Sequence, residues 1–244
     1  MAFVLNLVAL FAFFVKGVAG FGPALFLVPL WSLLLPLKQV QVVPATAFLL
    51  LLANLPMLFL VRRHLNPRRD LAAALPYALG IVLGTRCLLA LPEAVLRRVL
   101  GALLLAFAAW VLIRPRVPSK SPRLSRGEQM RLAAVGFSGG FLVGMVGAGA
   151  LPFLVYTPLR YPKDEARALF TAVFALGTLV WAGSYLLFGL LGKEEASLAL
   201  LALPGTLAGL WLGNRTAGRL SPTAFARVVG VLLVVPGAKL AGLF

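Results

Sequence analysis

Residues 16–23 have the residue types that an anion site inside a membrane requires. Their sequence, KGVAGFGP, interrupts an apolar run with three glycines, one proline and one basic side chain, Lys16. Glycine weakens a helix, whereas proline lacks an N–H and therefore fits the first turn of a new helix. A helix that restarts at Pro23 would direct its free N–H groups and the positive end of its dipole toward an anion.

The length of the surrounding apolar run predicts a break in the helix at this stretch. Residues 3–35 as one helix would span roughly 50 Å, but the hydrocarbon core of a bilayer is only about 30 Å thick. We therefore predict two half-helices, at about residues 2–15 and 23–35. Non-helical backbone at membrane depth is tolerated where protein or a water-filled cavity satisfies its polar groups, which makes the break a candidate site. A glycine kink with close helix packing is the alternative.

The glycine pattern of this stretch occurs a second time. Residues 144–149 repeat the Gly-x-x-Gly-x-Gly spacing of residues 17–22, and Pro152 follows. A Thr-Ala pair also recurs, and its threonines could line a polar pathway or bond the backbone of their own helices. Val143 stands where the first copy has a lysine, so the predicted site is asymmetric. The candidate substrate-binding residues are Lys16, Gly17, Gly20, Phe21, Gly22, Pro23, Thr46, Gly144, Gly147, Gly149 and Thr171.

A longer repeat indicates a tandem duplication. Ten residues between positions 80 and 104 recur between 209 and 233 at one constant spacing without a gap. We predict a first transmembrane repeat at 1–114, a basic cytoplasmic linker at 115–131 and a second repeat at 132–244. Each block contains a glycine pair that predicts close helix packing and an arginine that predicts an interfacial anchor: Gly80, Gly84 and Arg86, and Gly209, Gly213 and Arg215.

The composition indicates an all-α polytopic membrane protein. The chain has 244 residues, of which 61% are hydrophobic and 12% charged, and apolar segments of about twenty residues recur along it. The net charge of +16 does not indicate a nucleic-acid partner, because the basic residues mostly occupy short loops between apolar spans. Cys87 is the only cysteine, which excludes an intrachain disulfide. No Cys/His cluster suggests a metal, and no cofactor is expected.

The distribution of basic residues favours two inverted repeats. If each broken segment is a re-entrant hairpin, 16 Lys and Arg residues other than Lys16 lie inside the cell and 6 lie outside. If each broken segment crosses the membrane fully, the division is 12 against 10. The first arrangement obeys the positive-inside rule better. It gives each repeat one glycine-broken, re-entrant helix pair and three transmembrane helices, a design common among secondary transporters.

The acidic residues give no sign of catalysis or of proton coupling. All seven fall in loops or at the ends of spans, and the one histidine, His64, lies in a basic loop. Proton-coupled carriers commonly use buried Asp, Glu or His relays, so their absence argues against that coupling. A membrane-embedded enzyme would need convergent acids, histidines or a metal site, and we predict no catalytic residues.

These motifs resemble the sulfite exporter TauE/SafE family of membrane permeases. The resemblance rests on the broken segment KGVAGFGPALFLVP, on its repeat GMVGAGALPFLV and on the block GxxxGxR...RVxG in both halves. It covers nearly the whole chain. The resemblance implies a plasma-membrane permease for small sulfur-containing or related organic anions, such as sulfite, sulfoacetate or sulfonates.

We therefore predict a multi-pass transporter of the inner (cell) membrane that moves a small anion by alternating access of its two repeats. The anion would bind between the two hairpin tips, residues 20–23 and 147–149, with Lys16 adding charge. The expected partners are the anion, the lipid bilayer and, as an open question, a second copy of the chain in a dimer. A non-transporting or channel-like membrane subunit is the alternative, ranked above a membrane-embedded enzyme.

Overall fold

The computed structural model of the chain describes residues 1–19, 22–61, 65–113, 122–216 and 222–243. Within these ranges the chain is helical and contains no strand, which confirms the prediction of an all-α protein. The helices are α1 (Ala2–Ala19), α2 (Ala24–Leu34), α3 (Gln39–Val61), α4 (Pro67–Ala90), α5 (Glu93–Ile113), α6 (Arg126–Val146), α7 (Ala150–Arg160), α8 (Lys163–Leu187), α9 (Lys193–Thr216) and α10 (Pro222–Ala241).

Several of these helices have the length and composition of membrane spans. In the described part of the chain, four are long and apolar enough to cross a bilayer: α4, α6, α9 and the Ala168–Leu187 part of α8. The helix α6 begins at Arg126, inside the segment that the sequence predicts as a linker. Its first turns carry charged residues, so its apolar part, residues 132–146, extends only about 22 Å.

The first broken segment breaks later than the sequence predicts. The helix α1 continues through Lys16 and Gly17 to Ala19, so the predicted end near residue 15 is wrong by about one turn. Gly22 then has a φ of 81°, a backbone conformation that glycine adopts without steric cost. Pro23 accepts a hydrogen bond of 2.9 Å from the Leu27 N–H. The prediction that a new helix starts at this proline is therefore confirmed.

The second broken segment has a tighter break. Gly147 ends α6 in the left-handed region, with a φ of 76°, and its N–H donates to the Val143 carbonyl at 3.0 Å. Only two more residues separate it from Ala150, where α7 begins. Both predicted breaks are thus present, and each joins a longer helix to a helix of 11 residues.

The helices form two compact units that combine both halves of the sequence. One unit comprises Met1–Leu49, Leu91–Arg114 and Leu190–Phe244, and the other comprises Leu50–Ala90 and Pro115–Gly189. In the first unit α1 packs against α9, whereas in the second unit α4 packs against α6. The broken helix of each half therefore packs against a helix of the other half.

Glycines bring the paired helices into backbone contact, as the glycine pairs predict. In the second unit, a β-carbon at Gly80 or Gly84 would collide with the α6 backbone at Phe137 or Phe141. In the first unit, β-carbons at Gly209 and Gly213 would collide with the carbonyls of Leu10 and Phe14 on α1. The order of these contacts shows that both helix pairs run parallel, because residue numbers rise together along each pair.

The last helices of the two halves pack against each other in the opposite sense. Gly101 of α5 lies against Ala241 of α10, and Leu104, one turn later, lies against Gly237, one turn earlier. The two helices are therefore antiparallel. They occupy equivalent positions in the repeat found in the sequence.

The Asn6 side chain of α1 makes two hydrogen bonds to the backbone of α9. This helix contains Pro204, and the neighbouring Gly205 N–H donates to the Asn6 side-chain oxygen at 2.8 Å. The Asn6 amide in turn donates to the Leu201 carbonyl at 2.7 Å. The Asn6 side chain therefore gives hydrogen-bond partners to two backbone groups of α9 that lipid could not satisfy.

Adding a methyl group to a packed glycine tests the backbone contacts. Gly209→Ala should lower the melting temperature of the purified protein in detergent, because the methyl group collides with the Leu10 carbonyl and overpacking costs about 1–3 kcal/mol. Gly183→Ala on α8 is the matched control, since nothing lies within 4 Å of its new β-carbon. It should be neutral or stabilising by about 0.5–1 kcal/mol. Equal effects of the two changes would contradict the packing.

Candidate functional site

The start of α2 forms the first candidate anion site. Gly22 and Pro23 are buried, and the Pro23 side chain makes no capping hydrogen bond to the helix that follows. The Leu25 and Phe26 N–H groups donate to the Gly22 and Pro23 carbonyls at 3.1 Å. This helix start can therefore offer an anion the Ala24 N–H and a partial positive charge. Two predicted site residues of this break, Gly20 and Phe21, lie outside the described residues.

Lys16 is buried beside this break, in the last turn of α1. Its side chain is only 4% exposed, and its Nζ lies 6.0 Å from the centre of the Phe13 ring. A cation in the last turn of a helix also interacts favourably with the negative end of the helix dipole. Lys16 can therefore stabilise the end of α1.

Two glycines of the predicted site lie within helices and serve packing. Gly17 on α1 has no room for a β-carbon, which would lie 2.7 Å from the Gly213 Cα on α9. Gly144 on α6 lies against the Ile81 carbonyl of α4 in the same way. Its own carbonyl accepts a hydrogen bond of 2.6 Å from the Tyr185 hydroxyl. The packing alternative thus describes the contacts of these two glycines, and their place in an anion site stays a prediction.

The start of α7 forms the second candidate site. Gly147 and Gly149 are buried, and again no side chain caps the following helix. A β-carbon at Gly149 would meet the Val143 side chain, the Gly139 carbonyl at 2.6 Å and the Tyr77 hydroxyl at 2.9 Å. Glycine is thus the residue that fits here. Val143, which replaces lysine in this copy of the motif, lies directly against the break.

The two predicted threonines are buried in equivalent helices. Thr46 on α3 is fully buried, and its hydroxyl has no hydrogen-bond partner among the described residues. Other helical threonines, such as Thr85 and Thr206, bond a carbonyl one turn earlier. Thr171 on α8 is also buried. Thr46 therefore has an unused donor, as a residue on a polar pathway would.

A buried carboxylate joins the two ends of the second broken segment. Glu128 on the first turn of α6 is 2% exposed. It accepts hydrogen bonds from the hydroxyls of Tyr156 at 2.6 Å and Tyr161 at 2.8 Å, and from Arg160 at 2.9 Å. These donors come from the last turns of α7 and the residue after it. The end of α7 thus lies beside the start of α6, and the two helices form an antiparallel pair.

A second ionic cluster continues this network to α4 and α8. The buried Arg69 guanidinium bonds Asp70 at 2.8 Å and Glu165 at 3.0 Å, and it lies 5.7 Å from the centre of the Tyr161 ring. Burial raises the pKa of Tyr161 well above its usual value, and the hydrogen bond to Glu128 raises it further. Tyr161 therefore stays a neutral donor that links the two clusters.

Sequence reasoning missed three residues of these sites. It placed Glu128 and Asp70 in loops or at span ends but did not expect their burial, and it did not consider Tyr77. The spacing Ser125-x-x-Glu128 is a capping-box pattern, and Ser125 does accept from the Glu128 N–H at 3.3 Å. That signal could have predicted the helix start, but not the tyrosines that come from α7.

The arginines near the ends of α4 and α9, Arg86 and Arg215, are exposed, and their role as interfacial anchors stays a prediction. The Arg215 guanidinium stacks 5.2 Å from the centre of the exposed Trp211 ring. Tryptophan and arginine are favoured at the boundary between lipid and water.

Helices that are long and apolar enough to cross a bilayer, together with two glycine-broken helices, indicate a helical membrane protein. The sequence profile of the sulfite exporter TauE/SafE family matches residues 5–240. The match covers nearly the whole chain, which therefore belongs to that family of membrane permeases. No match was found among curated proteins or among solved structures.

Removing the Glu128 charge tests the network. Glu128→Gln should lower the stability of the protein by about 1–3 kcal/mol, because Arg160 loses its ionised partner and an amide nitrogen faces a hydroxyl donor. Glu194→Gln is the matched control, since Glu194 is exposed at the start of α9 and should change stability by less than about 0.5 kcal/mol. Thermal melting of both purified variants measures the difference, and equal melting temperatures would contradict the role of Glu128.

Proposed function

We propose that the chain is a permease of the cell (inner) membrane for a small anion, with sulfite, sulfonates and related organic anions as the substrate class. The observation that carries the proposal is the pair of buried, uncapped helix starts at glycine breaks, one at Pro23 and one at Gly149. Backbone N–H groups at such starts bind anions without a metal or cofactor. Membership of a permease family supports transport as the outcome of that binding.

We propose in addition that the broken segments are re-entrant hairpins in inverted repeats. The bonds between Glu128 and the end of α7 support a hairpin, because α7 returns to the end where α6 begins. The antiparallel packing of α5 and α10 supports inversion, since equivalent helices of parallel repeats would point the same way. The count of basic residues favours the same topology.

Alternating access is the mechanism that this topology favours. Each compact unit contains helices of both sequence halves, so in this proposal the moving bodies are the units rather than the halves. A negative potential inside the cell drives anions outward by about 2.3 kcal/mol per charge per 100 mV. Export would therefore need no coupling ion.

Lys16 is the proposed source of positive charge at the first break. Lys16 is buried about one turn before the break. Val143 occupies the equivalent position in the second half. An ionisable residue inside a membrane segment is by default a functional candidate. In the proposal, Lys16 attracts the anion and the start of α2 orients it.

Counterflow of labelled sulfite in liposomes tests the proposed function. The wild-type protein should show saturable exchange, and Lys16→Met should weaken apparent sulfite affinity roughly tenfold or more, because a charge-assisted hydrogen bond contributes about 1.5–3 kcal/mol. Lys239→Met is the matched control, since Lys239 is exposed near the end of α10 and should leave affinity within about twofold. Absence of saturable exchange for sulfite and a panel of small anions, with folded protein, would favour a non-transporting subunit. Equal affinity of wild type and Lys16→Met would remove Lys16 from the site.

A further inference from the structure

Tyr77 of α4 is held rigidly beside the second break. Its ring is buried and packs at 5.8 Å from the ring centres of Phe153 on α7 and Phe174 on α8. The ring also packs directly against Gly177 of α8, where any β-carbon would collide with it. Contacts from two neighbouring helices, α7 and α8, therefore fix the direction of the phenol group.

The hydroxyl of this tyrosine points at the start of α7. A β-carbon built on Gly149, the residue directly before α7, would lie 2.9 Å from the Tyr77 hydroxyl oxygen. The residue as a whole is 4% exposed. The hydroxyl is thus within reach of a group bound at the N-terminus of this helix.

Tyr77 differs from the other tyrosines in having no partner for its hydroxyl. Tyr156 and Tyr161 donate to Glu128, and Tyr185 donates to the Gly144 carbonyl. In the described part of the chain no hydrogen bond involves the Tyr77 hydroxyl. Buried polar groups normally have a partner, so an unpaired hydroxyl at this place suggests that a ligand supplies one.

We propose that Tyr77 contacts the substrate and donates a hydrogen bond to an oxyanion bound at the start of α7. This inference rests on the proposed function, since it assigns a residue to the same anion. The second break has Val143 where the first has Lys16, so it lacks that cation. The Leu151 N–H donates to the Ala148 carbonyl at 3.2 Å, and Pro152 has no N–H. The phenol therefore supplies a neutral, directional donor alongside the Ala150 N–H.

Sulfite binding to the purified full-length protein, measured by calorimetry, tests this role. Tyr77→Phe keeps the ring and its contacts but removes the donor, so it should weaken sulfite binding roughly tenfold and leave the anion-free melting temperature unchanged. Tyr156→Phe is the matched control. It removes a hydroxyl that bonds Glu128, so it should lower the melting temperature and leave sulfite affinity within about twofold.

The outcomes separate this inference from the function on which it rests. If the wild type binds sulfite and Tyr77→Phe binds it equally well, the assignment of Tyr77 is overturned and the proposed function stands. A Tyr77→Phe protein that melts at a lower temperature without anion would show that the hydroxyl serves the fold, which also overturns the assignment. If the folded wild type binds neither sulfite nor any other small anion, both proposals fail.

Discussion

Backbone contact between helices at glycines is the constraint on which the rest of the structure depends. Lipid tails are as apolar as leucine, so helices in a membrane associate by close packing and by hydrogen bonds rather than by exclusion from water. Here Gly209 and Gly213 admit the backbone of α1, and Gly80 and Gly84 admit the backbone of α6. Each contact joins a broken helix of one half to an unbroken helix of the other. Neither half of the sequence can complete its packing alone.

This packing leaves the backbone breaks in fixed places, and the two breaks then acquire different chemistry. At the first break, Lys16 lies in the last turn of α1. At the second break, Val143 takes the place of the lysine, and the Tyr77 hydroxyl faces Gly149. At the start of α6, Glu128 accepts hydrogen bonds from three donors at the end of α7. In the proposed transporter, glycine packing and this network hold α7, so that the Ala150 N–H and the positive end of the helix dipole can face an anion.

The sequence predicted the features that depend on local pattern. Both breaks, the restart at Pro23 and the close packing at the Gly80 and Gly209 pairs follow from the backbone properties of glycine and proline. The sequence did not predict which helix packs against which, because a glycine shows that something approaches closely without identifying the neighbour. It also missed the burial of Glu128, whose partners come from another helix, and Tyr77, which resembles any aromatic core residue. The inversion of the repeats and the substrate stay predictions.

The return of α7 to the side where α6 begins is the central claim, and labelling of single cysteines in sealed vesicles tests it most directly. In a Cys87→Ser background, Arg126→Cys marks the start of α6, Arg160→Cys marks the end of α7, and Leu187→Cys marks the far end of α8, where the side chain is exposed. We expect a membrane-impermeant thiol reagent to reach positions 126 and 160 from the same side and position 187 from the other. Labelling of positions 126 and 160 from opposite sides would contradict the hairpin and the anion site built on it.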